Sequence, residues 1–188
     1  HIRDVNRKRI LGILRRMGEV TRQDVSDELG LSIPTVSRNI DELVAEGFVE
    51  ETGYAGSSGG RPAKVYRFLP ASRLTIGVDV EPGLLRVAAV DLGLRVKKRL
   101  EIPLPPSDFP KFQGAVIEAV RRIRACLKEG DDTRQLPAHS ILGVGVSLPG
   151  AVWGDVLEFA PNLGLEHVEL TCLRSAFAPE LIFENEAN

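Results

Sequence analysis

Three successive segments near the amino terminus carry apolar residues at the three- and four-residue spacing of an amphipathic helix. The apolar positions are Ile10, Ile13, Leu14 and Met17 in the first segment, Val25 and Leu29 in the second, and Val36, Ile40, Leu43 and Val44 in the third. Thr21 and Ser32 precede the second and third segments as N-caps, and Gly18, Gly30 and Gly47 end the three segments in turn. The pattern predicts a supporting helix followed by a helix-turn-helix.

Strand-like runs follow at residues 48–52 and 64–69. The segment between them, GYAGSSGGRP, has glycine and serine in place of apolar residues, which is typical of the tip of a hairpin. We therefore expect a winged helix-turn-helix domain over residues 1–70 and a linker at residues 71–73.

The pattern is different again from residue 74 onward. LTIGVDV, LLRVAAVDL and RVKKRLEIPL are strand-like runs separated by glycine-containing turns, and they predict a three-stranded antiparallel meander. Helical spacing then returns at Phe112, Val116, Val120, Ile123 and Leu127. SILGVGVSLPG predicts a buried strand with a tight turn, VELTCLRSAF a further helix and LIFEN a further strand. A mixed α/β sheet results, with a site expected at the carboxyl ends of its strands.

Composition is that of a globular protein, with 43% apolar and 27% charged residues among 188. The sequence contains no signal peptide and no apolar run long enough to cross a bilayer, so we expect a cytoplasmic location. Cys126 and Cys172 are far apart and lack metal-ligand spacing, which favours buried, reduced thiols over a disulfide or a metal site.

Charge is distributed unevenly along the chain. Residues 1–22 carry seven basic residues against Asp4 and Glu19, whereas residues 74–188 carry twelve basic and sixteen acidic residues. A basic end on an acidic body suggests a polyanionic partner at the amino end. A charged face that only meets solvent is the alternative.

The start of the third helix is where base contacts are expected in a helix-turn-helix. Its short polar or basic residues, which the periodicity places off the apolar stripe, are Ser32, Thr35, Ser37, Arg38 and Asn39. We expect them to approach base edges and phosphates. Acidic residues begin only at Asp41 and Glu42, where a groove-bound helix is leaving the DNA. The alternative is a winged helix that serves protein contacts only.

The glycine-rich wing tip suggests a second contact with a duplex. Arg61 is predicted to enter a narrow minor groove, where negative potential is concentrated, while Pro62 stiffens the backbone behind it. Lys64 is predicted to contact phosphate. The alternative is a hairpin tip whose arginine contacts nothing.

Two motifs in the body are incomplete. GVSLPG lacks the glycine that a nucleophile elbow needs two residues after its serine, so Ser147 is assigned a structural role. GVGVSL lacks the third glycine of a dinucleotide fingerprint. His139 and His167 have no companions at metal-ligand spacing, and we assign them helix-terminal or surface roles.

The ordered set of GGRP, IGVDV, RVAAVDL, GVGVSLPG, APNLG and FENEAN resembles the ROK family of sugar-responsive repressors and sugar kinases. The resemblance covers essentially the whole chain. It implies that an α+β winged helix-turn-helix domain precedes an α/β lobe of the ribonuclease-H-like (actin-like ATPase) fold, with a mixed sheet, at residues 74–188.

The resemblance also implies a sugar pocket lined by the Pro149–Gly150 turn, Asn162, Asn185 and Glu186. Asn185 would bind sugar hydroxyls, and Glu186 occupies the position of the kinases' aspartate general base. Glutamate moves that carboxylate by one methylene, which favours binding of hydroxyls over phosphoryl transfer.

The loop after the first strand of the lobe departs from the kinases' Asp-x-Gly-x-Thr. DVEPGLLR keeps Asp79, but Glu81 and Pro82 stand where phosphate would approach, and no hydroxyl follows Gly83. A carboxylate repels phosphate, and proline removes a backbone donor. The loop therefore predicts a protein with no catalytic residue and no kinase activity.

The predicted function is that of a transcriptional regulator, a repressor of sugar-metabolism or transport genes. We expect it to bind an operator as a homodimer or higher homo-oligomer and to respond to a sugar or sugar phosphate. The alternative is a sugar kinase with a DNA-binding appendage. The resemblance further implies a second lobe absent from this chain, with a zinc-binding Cys/His cluster; no metal or other cofactor is expected in the chain itself.

Overall fold

The computed structural model describes residues 2–56, 62–105, 111–129, 141–177 and 181–185, and the chain divides into two compact units, His1–Ser72 and Arg73–Asn188. The helices of the first unit are α1 (Ile2–Met17), α2 (Arg22–Leu29) and α3 (Ile33–Ala45). Its strands are β1 (Glu19–Thr21), β2 (Val49–Tyr54) and β3 (Lys64–Phe68), which form an antiparallel sheet in the order β1-β3-β2. The three helices and the hairpin confirm the predicted winged helix-turn-helix.

The helices of the first unit pack on the apolar residues that the periodicity singled out. Ile10, Leu14, Val25, Val36, Ile40 and Leu43 are all fully buried in one cluster, together with Tyr66 of β3. Val44 is 37% exposed, so its predicted burial is wrong, and Met17, at the end of α1, is 48% exposed.

Helix boundaries in the first unit follow the predicted caps. Thr21 and Asp24 form a reciprocal capping box at the start of α2, and Gly30 ends that helix with a left-handed backbone, at φ 63°. Ser32 occupies the N-cap position of α3, but its hydroxyl makes no capping hydrogen bond. It lies 2.9 Å from the Thr35 hydroxyl instead.

The second unit is built on a five-stranded mixed sheet in the order β11-β7-β4-β5-β6. Its strands are β4 (Leu74–Glu81), β5 (Gly83–Asp91), β6 (Val96–Leu104), β7 (Ile141–Leu148) and β11 (Leu181–Asn185), and its long helix is α4 (Phe112–Glu129). β4, β5 and β6 pair antiparallel, whereas β7 runs parallel to both β4 and β11. The predicted meander, helix and parallel strands are confirmed.

A second, smaller sheet was not predicted from the sequence. It consists of β8 (Ala151–Trp153), β9 (Val156–Ala160) and β10 (Leu165–Glu169), in the order β10-β9-β8, and the helix α5 (Thr171–Phe177) follows it. These strands have three to five residues each and alternate poorly between exposed and buried positions. Their hydrophobic signal is therefore too short to distinguish from a loop.

The core of the second unit lies on one face of the five-stranded sheet. Alternate residues of β4, Ile76, Val78 and Val80, are buried in a single cluster with Phe112, Val116 and Val120 of α4. The residues between them, such as Gly77 and Asp79, lie on the opposite face. There they line a cleft of about 520 Å³, together with Arg86, Ser147 and Glu184.

Candidate functional site

The exposed side of α3 carries most of the residues predicted to contact DNA. Ser32 and Arg38 are exposed, and Thr35 and Ser37 are half-buried. Within the described ranges, Arg38 forms no ion pair. Its guanidinium is therefore available to a phosphate or a base edge.

Asn39 is the exception, and its predicted exposure is wrong. The side chain is only 4% exposed, because Asn39 follows Val36 by three residues and shares the buried face of α3 with it. Its Nδ2 donates a 2.8 Å hydrogen bond to the Thr35 carbonyl, and its Oδ1 is buried without a partner among the described residues. In this position the Asn39 side chain bonds to the backbone of its own helix and does not face a ligand.

The wing begins at an irregular point in the sheet. The register of β2 against β3 shifts between Glu51 and Gly53, and Gly53 has a φ of 148°. Lys64, at the start of β3, is exposed, and its Nζ pairs with Glu51 at 2.8 Å. That hydrogen bond raises the pKa of Lys64. Arg61 lies outside the described residues, so the predicted minor-groove contact stays a prediction.

The basic amino-terminal segment is partly neutralised within its own unit. Three of its cations pair with acidic residues: Arg7 with Glu46, Arg16 with Glu28, and Arg22 with Asp41. The local excess of positive charge in the sequence is therefore a weaker sign of a polyanionic partner than the count suggests. The exposed face of α3 is the more specific sign.

Gly150, a predicted sugar-site residue, lies where two segments approach closely. A Cβ at this position would be 2.3 Å from the Phe159 carbonyl oxygen and 2.8 Å from the Cβ of Ala160. Only glycine therefore allows the turn after β7 to pack against β9. Its backbone N–H donates to the Leu148 carbonyl at 2.9 Å, which closes the turn.

The predicted sugar-site residues come from segments that meet at one edge of the sheet. Asn185, the last residue of β11, is in register with Leu148, the last residue of β7. The Pro149–Gly150 turn follows directly, so the backbone brings it next to the end of β11. Asn162 is exposed in a short 3-10 turn that begins directly after β9. Glu186 lies outside the described residues.

Sequence analysis did not identify Arg174 of α5, which connects the start of β11 with the turn that precedes β9. Its Nε and Nη2 donate to Asp155 Oδ1 at 2.9 and 2.5 Å, and its Nη1 donates to the Leu181 carbonyl at 2.9 Å. The guanidinium carbon also lies over the Phe183 ring, 5.4 Å from its centroid. The contact ties β11 to the turn between β8 and β9. These partners are distant in sequence, so no local pattern reveals them.

We expect Arg174→Met to lower the Tm of the second unit more than Arg174→Lys does, because lysine keeps the charge but not the fork.

The hydrogen bond from Arg174 lowers the pKa of Asp155. The pair therefore contributes stability above the ordinary pKa of aspartate, and this contribution is lost as the pH falls through the lowered value. The Tm difference between wild type and Arg174→Met should shrink in acid. Arg121→Met, which breaks an exposed pair on α4, is the control; equal effects at both sites would contradict the bridging role.

The loop that departs from the kinase pattern forms a tight hairpin turn. Glu81 and Leu84 are paired in register, so Pro82 and Gly83 make the connection, with Gly83 at φ 88°. The Glu81 carboxylate accepts a hydrogen bond from Arg86. The Glu81 carboxylate and the Arg86 guanidinium are thus engaged with each other at this turn.

The remaining sequence predictions concern metal sites, membrane spans, the cysteines and the histidines. Among the described residues, no group of three His, Cys, Asp or Glu side chains could hold a metal ion, and no helix has the length and apolarity needed to span a membrane. Cys126 and Cys172 are unpaired, as predicted, but Cys172 is exposed and Cys126 only half-buried, so the predicted burial is wrong. His167 lies on the surface and pairs with Glu158 at 2.8 Å.

Known proteins resemble both units. The winged helix-turn-helix DNA-binding family matches residues 3–50. A protein provisionally named xylose repressor from Caldicellulosiruptor sp. (strain Rt8B.4) is 30% identical over 193 residues, covering 100% of this chain and 46% of its own length. The xylose repressor of Bacillus subtilis (strain 168) is 24% identical, covering 100% of this chain and 47% of its own.

A solved structure aligns with almost the whole fold. It is described as a ROK family transcriptional regulator and a homologue of the Escherichia coli MLC protein, and it covers 99% of this chain with a TM-score of 0.73 at 18% identity. The resemblance to ROK-family regulators is therefore confirmed. The second unit has the fold of a ROK lobe. The chain spans just under half the length of the relatives it matches.

Proposed function

We propose that the chain is the DNA-binding part, together with the first effector-binding lobe, of a sugar-responsive transcriptional repressor. The observation that carries the proposal is the polar, exposed start of α3 joined in one chain to a ROK lobe. Proteins named xylose repressor match the chain over its entire length, which makes xylose the first effector to test. In the same proposal, the protein binds a double-stranded operator as a homodimer or higher homo-oligomer and is located in the cytoplasm.

In the proposed complex, α3 lies in the major groove and the wing lies over the adjacent minor groove. The hydroxyls of Ser32, Thr35 and Ser37 reach base edges or phosphates, and Arg38 binds phosphate. Lys64 exchanges Glu51 for a phosphate at the base of the wing. Asn39 is left out of this set, because it is buried.

The proposed sugar site lies at the edge where the Pro149–Gly150 turn, Asn162 and the end of β11 meet. The amide groups of Asn162 and Asn185, together with the Glu186 carboxylate that the resemblance assigns to this site, match the alternating donors and acceptors of vicinal sugar hydroxyls. Sugar binding at this edge changes the fit of the DNA-binding units to the operator. The other side of the sugar site is expected in a second lobe, in the part of the relatives that this chain does not cover.

We expect Arg61→Ala and Arg38→Ala to weaken DNA binding in different ways. Loss of Arg61 should cost about 1–3 kcal/mol, mainly at A·T-rich flanks, if the arginine reads the minor groove. Loss of Arg38 should weaken binding to every sequence and reduce the salt dependence. A gel-shift titration against duplexes with A·T-rich and G·C-rich flanks separates the two; unchanged binding of Arg61→Ala to all duplexes would contradict the wing contact.

The alternative is a sugar kinase, and the lobe fold together with Asp79 in the cleft favours testing it. We expect no sugar-dependent ATP turnover, because we infer that the hairpin at Pro82 and Gly83 provides no phosphate cradle. Glu186→Asp should not create turnover, since it does not restore that cradle. A coupled ATP-consumption assay with xylose, hexoses and N-acetylhexosamines provides the test. Turnover on the order of 1 per second would establish the kinase instead.

A further inference from the structure

Arg22, the first residue of α2, is held between the two helices of the helix-turn-helix and the wing. Its Nη2 lies 2.5 Å from Asp41 Oδ1 of α3, and its guanidinium centre lies 5.1 Å from the centroid of the Tyr66 ring. Its Nε is buried and has no hydrogen-bond partner among the described residues. These contacts hold the Arg22 guanidinium in one orientation, and it bonds to Asp41 through Nη2.

The Arg22–Asp41 pair adjoins the surface proposed to meet DNA. Asp41 follows Arg38 by three residues, so the two lie on neighbouring positions of α3, and the Asp41 side chain is 63% exposed. The side chain of Arg22 is 31% exposed. In helix-turn-helix complexes the helix before the recognition helix crosses the DNA backbone, and Arg22 lies in the first turn of that helix.

The charges of the pair act in opposite directions on an approaching duplex. The Asp41 carboxylate repels phosphates, whereas the Arg22 guanidinium, which lies over the Tyr66 ring, has a planar fork that suits a phosphate. While Asp41 occupies the fork, the pair is neutral and adds little to binding of unrelated DNA. A phosphate that reaches the fork replaces the contact to Asp41.

We propose that Arg22 is a phosphate-binding residue of the DNA interface and that Asp41 is its internal counterion, which limits binding to unrelated DNA. The proposal rests on the proposed DNA-binding function. It predicts that removal of the Asp41 charge increases affinity for DNA of any sequence. Specificity, as the ratio of operator to unrelated binding, should fall at the same time.

The test is a fluorescence-anisotropy titration of the 188-residue chain with a short duplex of mixed sequence, between about 50 and 200 mM salt. Asp41→Asn should bind about fivefold tighter, and its plot of log K against log salt should steepen by about 0.9, the value for one further phosphate contact. The matched control is Glu28→Gln, which removes the same charge and releases Arg16 at the other end of α2. It should leave the slope unchanged.

Arg22→Met provides the converse measurement. Introduced into the Asp41→Asn variant, it should flatten the salt slope again by about 0.9 and weaken binding to unrelated duplexes. An unchanged or shallower slope in Asp41→Asn, or an equal increase in Glu28→Gln, would overturn the proposal even if Arg22→Met failed to fold. Wild-type protein that binds no duplex at all would overturn the proposed function itself, and this inference with it.

Discussion

Gly150→Ala should lower the stability of the second unit sharply. The new Cβ would lie 2.3 Å from the Phe159 carbonyl oxygen, well inside van der Waals contact. β9 cannot move away easily, because it pairs with β8 on one side and β10 on the other. Overpacking of this kind costs about 1–3 kcal/mol and occasionally more, and contact with backbone atoms places this site at the upper end. Thermal unfolding followed by circular dichroism measures the loss.

The control for this prediction is Gly114→Ala. Gly114 is the third residue of α4, and a Cβ there would meet nothing within 4 Å. Alanine should be neutral or stabilise the helix by up to about 1 kcal/mol. Trp153, the one tryptophan of the sequence, lies in β8 beside the Gly150 turn, and its fluorescence provides a local readout. If the two variants have the same Tm, the close approach at Gly150 is wrong.

Ile40→Ala should unfold much of the first unit and abolish DNA binding. Ile40 is fully buried on the inner face of α3, in the cluster that joins the three helices to the wing. Truncating a buried isoleucine to alanine costs about 2–5 kcal/mol, because the cavity adds to the lost burial. A unit of this size has little stability to lose, so the effect on folding should be large.

Val44→Ala, on the same helix, is the matched control. Val44 is 37% exposed, so its truncation should cost far less than that of Ile40. Circular dichroism gives the stability of each variant, and a gel shift gives its DNA binding. Equal losses in the two variants would show that the packing of α3 differs from the one described.

The helices and the central sheet could be predicted because their signals are local. Val36, Ile40 and Leu43 repeat at helical spacing, and Leu74–Glu81 alternates between buried and exposed positions along the whole of β4. The Thr21–Asp24 capping box likewise involves only residues within a four-residue segment. Each of these features depends on residues close in the chain, which is why periodicity and caps were sufficient.

Most of the features that sequence analysis missed depend on contacts between distant residues, and Asn39 is the exception. Asn39 was expected to face solvent because it is polar, yet three-residue spacing from Val36 places it inside. The register of Asn185 with Leu148 is a pairing between separate strands. The Arg22–Asp41 and Arg174–Asp155 contacts each join two elements. No local pattern encodes such partners, since they follow from how the elements pack.

The proposed sugar site was predictable from the sequence in part only. The resemblance supplied the residue types, whereas the structure supplied the reason that Gly150 has no side chain: it packs against β9. Gly150 therefore serves to position the turn. Asn162 and Asn185 are the better candidates for contacts with sugar hydroxyls. Asn185→Ala should weaken sugar binding, because it leaves a hydroxyl without its partner.

The central claim is that the first unit reads a DNA sequence. The most direct measurement is a selection of bound duplexes from a random pool by the 188-residue chain, followed by anisotropy titration of the enriched sequence and of a scrambled version. We predict an enriched sequence that binds about 10³-fold tighter than its scrambled version. Selection that enriches no sequence, with equal affinity for all duplexes, would contradict the account.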